Sequence, residues 1–112
     1  RMLTFEQLIH QEDLAGIKLT TNRIERAFMD DDRRSVNVDP GYLLHERFVL
    51  ASGKNFSHRI FIGNGIYADL TLIYQRGGFV TLPWTYPDYA DEPMLALLTR
   101  IRNKYSIDLK TC

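Results

Sequence analysis

A chain of 112 residues, 45% hydrophobic and 25% charged, is long enough for one self-sufficient core and too apolar for wholesale disorder. Its fourteen basic and fourteen acidic side chains cancel, which argues against partners held by bulk electrostatics and excludes nucleic acid and an anionic membrane surface as expected partners. No run approaches the roughly 20 apolar residues of a membrane span, the opening residues lack a secretory pattern, and the lone cysteine, Cys112, allows no internal disulfide. A single soluble domain over 1–112 is expected.

Thr4-Phe5-Glu6-Gln7 fits a capping box and predicts a short helix with Phe5, Leu8 and Ile9 on one face and Gly16 at its end. Ile17-Lys18-Leu19-Thr20 alternates like a brief strand. Asn22 to Met29 fits either a strand, which is favoured, or a helical turn carrying Ile24, Ala27 and Phe28. The charge run Asp30-Asp31-Asp32-Arg33-Arg34 predicts an exposed loop where the chain turns. It lacks the glycine and distal glutamate of a calcium loop, so no metal is expected there. Ser35 to Val38 alternates as a short strand, Asp39-Pro40-Gly41 turns, and Tyr42 to Ala51 reads as a strand fully buried toward Phe48-Val49-Leu50.

The plainest element runs from Arg59 to Tyr74. Two β-rich runs flank Gly63-Asn64-Gly65, a triplet that tolerates positive φ, and so predict a hairpin. Beyond the turn, alternation directs Ile66, Ala68, Leu70, Leu72 and Tyr74 to the core and Tyr67, Asp69, Thr71, Ile73 and Gln75 away from it. Gly77-Gly78 ends the hairpin, and Phe79 to Leu82 adds another antiparallel partner to make a meander. In Pro83-Trp84-Thr85-Tyr86-Pro87-Asp88-Tyr89 two prolines forbid regular pairing while three aromatics crowd together. This stiff loop is either a recognition surface or a plug in which Trp84 closes the end of the sheet. Asp91-Glu92-Pro93 starts a last helix bearing Met94, Leu97 or Leu98, Ile101 and Tyr105, and Ser106 to Thr111 reads as a terminal strand. The expected fold is α+β: an antiparallel meander sheet of about five or six strands with an N-terminal and a C-terminal helix packed on one face.

An offset of 90 aligns Leu8 with Leu98, Ile17 with Ile107, Leu19 with Leu109 and Thr21 with Thr111. The ends then share a helix–strand pattern, by chance, by fold symmetry or by true repetition with one unit at 1–90 and the start of another at 91–112. The order Leu8-Ile9, Gly16-Ile17-Lys18-Leu19-Thr20, Asn55, then Gly65-Ile66-Tyr67-Ala68-Asp69-Leu70-Thr71-Leu72-Ile73-Tyr74-Gln75-Arg76 resembles a repeat module in virion structural proteins of large tailed bacteriophages. The resemblance implies a scaffold in a virion or host cytoplasm and carries no functional residue across. Tyr42 to Ala51 and the Pro83 to Tyr89 loop depart from that pattern.

No catalytic motif is present. His10, His45 and His58 lie far apart without metal-ligand spacing, and Gly63-Asn64-Gly65 does not extend into a phosphate loop. No cofactor, metal or catalytic residue is therefore expected. The leading expectation is a non-enzymatic assembly module of a phage particle acting by protein–protein contact through sheet edges and the aromatic loop, with Trp84, Tyr86, Tyr89 and Phe79 as interface residues. The alternative is a small inhibitor or immunity-type protein that blocks one protein target. A third, lesser reading is a hydrolase using His58 with a carboxylate such as Asp69.

Overall fold

The computed structural model describes residues 2–5, 7–30, 33–34 and 38–111. Its first helix, α1, spans Leu14–Ala27 after a 3-10 turn at Gln11–Asp13. The helix expected from Thr4 does not form: the described residues before Gln11 are irregular, with Phe5 86% exposed. The turn is closed by Asp13, whose carboxylate accepts the His10 backbone N–H at 3.2 Å. Gly16, expected as a stop, lies near the start of α1, and the strands expected at Ile17–Thr20 and Asn22–Met29 are helical through Ala27. Thr20 and Thr21 fit a helix because their hydroxyls donate to the carbonyls of Gly16 and Lys18. The buried residues of α1 are Leu14, Ala15, Lys18 and Glu25, so two polar side chains interrupt the apolar stripe that would have announced it. Glu25 is 2% exposed and accepts the Val38 backbone N–H at 3.1 Å, tying α1 to the segment that leads into the sheet.

Met29–Asp30 (β1) pairs antiparallel with Arg33–Arg34 (β2), so the chain reverses at the charged run as expected. The strand expected at Ser35–Val38 falls mostly outside the described residues. The single strand expected over Tyr42–Ala51 is a hairpin of Gly41–Leu43 (β3) and Arg47–Ser52 (β4), closed by Leu44 N–H donating to the Arg47 carbonyl at 2.9 Å. His45 and Glu46 sit in its turn, with Glu46 exposed and His45 half-buried against α2.

Arg59–Gly63 (β5) and Ile66–Gln75 (β6) form the expected central hairpin, and Gly78–Thr81 (β7) also pairs with β6. The reversal holds φ at 103°, 55° and 75° over Gly63, Asn64 and Gly65, which those residue types adopt most readily. The result is a five-stranded antiparallel sheet in the order β3-β4-β6-β5, with β7 beside β5 along β6. With α1 and the second helix, Glu92–Thr111 (α2), the fold is α+β as the sequence indicates.

Register explains the core. Phe48 pairs with Leu72 but Val49 pairs with Leu70, leaving Thr71 as an extra residue in β6. Phe48 and Val49 are neighbours in one strand and so point to opposite faces, and both are buried. Val49 joins Leu14, Ala15, Ala51 and Ile66 beside α1, while Phe48 joins Leu72, Phe79 and Leu98 beside α2. The helices thus serve separate clusters on the two sides of β4, a refinement of the one-face packing expected. The bulge also splits the set expected to share one face, with Ile66 and Leu70 beside α1 and Leu72 and Tyr74 beside α2, and Asp69 and Thr71, expected to point away from the core, are 7% and 2% exposed.

The terminal strand expected at Ser106–Thr111 is instead the end of α2. Its alternation served neither face of a sheet: Ile107 and Leu109 are 61% and 42% exposed, and Lys104 pairs with Asp108 at 2.8 Å one helical turn away. The helix–strand pattern expected at both ends is therefore absent: the N-terminal stretch is irregular before Gln11 and then helical through Ala27, and the C-terminal stretch is helix through Thr111. Arg102 of α2 lies 3.5 Å from the centre of the Tyr74 ring and donates through Nε to the His45 carbonyl at 2.9 Å. His45 Nε2 and Ser106 Oγ share a hydrogen bond at 2.7 Å, which ties the β3–β4 turn to the same helix.

Candidate functional site

Strand β6 is longer than either partner on one of its sides. Its ladder with β5 ends at Arg59 opposite Asp69, and its ladder with β7 begins at Thr81 opposite Leu72. Leu70 and Thr71 lie in the gap. The aromatic loop fills it: Trp84 Nε1 donates to the Leu70 carbonyl, and Thr85 Oγ1 donates to the Thr71 carbonyl at 2.6 Å. Thr85 Oγ1 also accepts the Leu82 N–H at 2.9 Å, which fixes the loop's own shape. Trp84 is thus a plug, set into a gap midway along β6 rather than at the end of the sheet. Trp84→Phe keeps an aromatic ring and removes the indole N–H, so it is expected to cost about 1 kcal/mol, read from the midpoint of urea unfolding.

Next to the plug lies a compact polar cluster. Asp69 Oδ2 accepts Arg59 Nε at 2.9 Å and lies 3.3 Å from His58 Nε2, with side-chain exposures of 10%, 11% and 9% for Asp69, Arg59 and His58. Thr71 Oγ1 donates to the Asp69 backbone carbonyl at 3.1 Å, with Asp69 Oδ1 at 3.4 Å, and Arg59 Nη1 donates to the Lys54 carbonyl at 3.1 Å. The His58 ring stacks on Trp84 with centroids 4.7 Å apart and planes 14° apart. His58 and Asp69 do meet, as the hydrolase reading required. Asp69 is shared with a guanidinium, however, and among the described residues no hydroxyl or thiol is bonded to the His58 ring. The geometry is that of a charge-compensated anchor: it holds the start of β5 to β6 and seats the Trp84 ring.

The four interface residues expected from sequence separate. Trp84 is 37% exposed and Tyr86 59% exposed, so both present surface. Tyr89 is half-buried, its ring 5.7 Å from that of Phe48. Phe79 is 5% exposed in the core beside α2, edge-on to Tyr74 at 5.3 Å, and presents no surface, because its alternation in β7 turns it inward. Tyr86 and Tyr89 line a cleft of about 190 Å³ with Asp39, Ser52, Arg59 and Asp69. Burial, together with the Asp39 and Asp88 carboxylates, holds the Tyr89 phenol above its ordinary pKa and so protonated.

A second surface was missed in the sequence. Strand β5 stands at the end of the strand order, and on it Ile60, Phe61 and Ile62 are 71%, 60% and 36% exposed, with Phe56 nearby at 63%. The signal was there: Ile60-Phe61-Ile62 is apolar at every position, where a strand with one solvated face would alternate. Among the described residues no group of three His, Cys, Asp or Glu side chains is arranged to hold a metal ion, and no helix is long and apolar enough to cross a membrane.

A family model described as a domain of unknown function, DUF4416, matches residues 1–105. No curated protein and no solved structure matches the chain.

Proposed function

The chain belongs to the DUF4416 family, whose description states no activity, and from its geometry we propose that it is a non-enzymatic protein-contact module that assembles through the outer edge of β5. The carrying observation is the run of exposed apolar side chains on this edge strand. Edge strands that stay unpaired are often blunted by outward lysine or by proline. Among the described residues of β5, Arg59 is turned onto Asp69 and the next three positions, Ile60, Phe61 and Ile62, are exposed and apolar.

The segment is also nearly palindromic, Arg59-Ile60-Phe61-Ile62-Gly63. Antiparallel pairing with a second copy about a two-fold axis through Phe61 would set that ring against its own counterpart and Ile60 against Ile62 of the second copy. A formal net charge of zero offers little long-range repulsion to such an encounter. The setting in a phage particle rests on the resemblance carried by Leu8-Ile9, Gly16 to Thr20, Asn55 and Gly65 to Arg76, and is the assembly form of this reading.

Phe61→Lys tests it. The variant is expected to stay folded, since Phe61 is 60% exposed, and to lose self-association in light scattering behind a sizing column. Self-association that survives the lysine would remove β5 from the proposal.

A further inference from the structure

Where the β3–β4 turn meets α2, one hydroxyl is set differently from the others in the helices. Thr20, Thr21 and Thr99 each donate to a backbone carbonyl three or four residues back. Among the described residues Ser106 is the exception: its hydroxyl leaves the helix and meets His45 Nε2 at 2.7 Å. That length is typical of an O–H donor and shorter than the usual N–H contact to oxygen, so Ser106 donates and His45 accepts, with the ring proton on Nδ1. We propose that Ser106 is an acyl-acceptor site, at which His45 takes the hydroxyl proton while Oγ attacks the carbonyl carbon of an acyl phosphate. The inference stands on different residues from the edge contact and does not depend on it.

The surroundings select the donor. Ser106 is half-buried, and it stands within the reach required of a nucleophile and its base. The base is held in place: the Tyr105 ring packs against His45 with centroids 4.9 Å apart, and the His45 carbonyl accepts Arg102 Nε at 2.9 Å. Arg102 lies one helical turn before Ser106, over the Tyr74 ring, and among the described residues its Nη atoms have no hydrogen-bond partner. A guanidinium with that edge open pairs with phosphate through two N–H groups, which favours a phosphate leaving group over a neutral one. In the transfer the bond from Oγ to the carbonyl carbon forms and the bond from that carbon to the bridging phosphate oxygen breaks. The proton taken by His45 Nε2 passes to the departing phosphate. Backbone N–H groups around Ser106 are engaged within α2 and offer no oxyanion hole, so the chain accepts one acyl group rather than turning over as a hydrolase.

The test is incubation of the folded chain with acetyl phosphate, with the label placed by peptide mass spectrometry. An acetyl ester is expected at Ser106, removed by alkaline hydroxylamine, which spares lysine amides, and absent when the chain is unfolded in urea. His45→Gln leaves Ser106 a hydrogen-bond partner but no base, and is expected to slow labelling by about 100-fold, the lower end for a positioned general base. Added imidazole is expected to restore part of the labelling to His45→Ala, which a merely structural histidine would not allow. Arg102→Lys keeps a cation over Tyr74 and is expected to slow labelling by acetyl phosphate while leaving labelling by the neutral donor p-nitrophenyl acetate unchanged. Acetylation of lysines without an ester at Ser106, full-rate labelling in His45→Gln, or equal slowing with the two donors in Arg102→Lys would each overturn the proposal.

Discussion

Asp69→Ala is expected to lower the unfolding free energy by about 3–5 kcal/mol, the range for removing one partner of a buried ion pair. Arg59 and His58 would be left at 11% and 9% side-chain exposure without their shared acceptor, and Thr71 would lose one of the two oxygens near its hydroxyl. Domains of this size have in all about 5–15 kcal/mol of stability, so the loss should appear as a large fall in the urea midpoint with an unchanged slope. The consequence reaches the loop as well. The His58 ring that Asp69 orients is the one on which Trp84 stacks, so Trp84 fluorescence should change in the native state of the variant. Asp69→Asn keeps one acceptor for Arg59 and should cost distinctly less. Equal losses in the two variants would mean that the carboxylate's charge carries the whole effect and that a neutral amide acceptor replaces none of it.

Leu72→Ala is expected to cost a further large share of stability, about 2–5 kcal/mol by the usual range for leucine truncation in a core. Leu72 is 0% exposed on the central strand, where Phe48, Phe79 and Leu98 meet it. Ile60→Ala supplies the contrast. It removes a similar volume from a side chain that is 71% exposed, and it should change the monomer by no more than about 0.5 kcal/mol. A small loss at Leu72 would show that the clusters on the two sides of β4 repack independently of the central strand.

The parts of the fold legible in the sequence are those where local chemistry and tertiary packing agree. Gly63-Asn64-Gly65 supplies the positive φ values that the central reversal uses, and the Asp91 carboxylate does accept the Met94 backbone N–H, at 2.9 Å, at the start of α2. The failures share a cause. Ile17 to Thr20 and Ser106 to Thr111 carry β-branched residues in alternation, yet both lie in helices whose stability comes from packing of one face. In α1 that face includes Lys18 and Glu25, so a hydrophobic pattern could not reveal it, and Glu25 is satisfied by Val38, thirteen residues away. The capping box at Thr4 was a local signal with no helix behind it: Phe5 and Ile9, two of the three residues of its expected apolar face, stay exposed.

Site residues followed the same rule. The aromatic loop was recognisable from its prolines and rings, but its role as a plug depends on a gap between β5 and β7 that only register creates. The pairing of His58 with Asp69 could be conceived from residue types, whereas the Arg59 that neutralises the carboxylate was not in view. The inward turn of Phe79 and the exposure of Ile60 and Phe61 follow from strand order, which alternation alone does not determine.

The central claim, that β5 is a contact edge used between copies, is tested most directly by the absolute mass of the protein in solution, measured by light scattering over a wide range of concentration. The wild-type chain should give a dimer or a larger defined multimer that persists on dilution, and Phe61→Lys should give 13.1 kDa throughout. A wild-type mass of 13.1 kDa at every concentration would contradict the claim and turn attention to a single foreign target for the same edge.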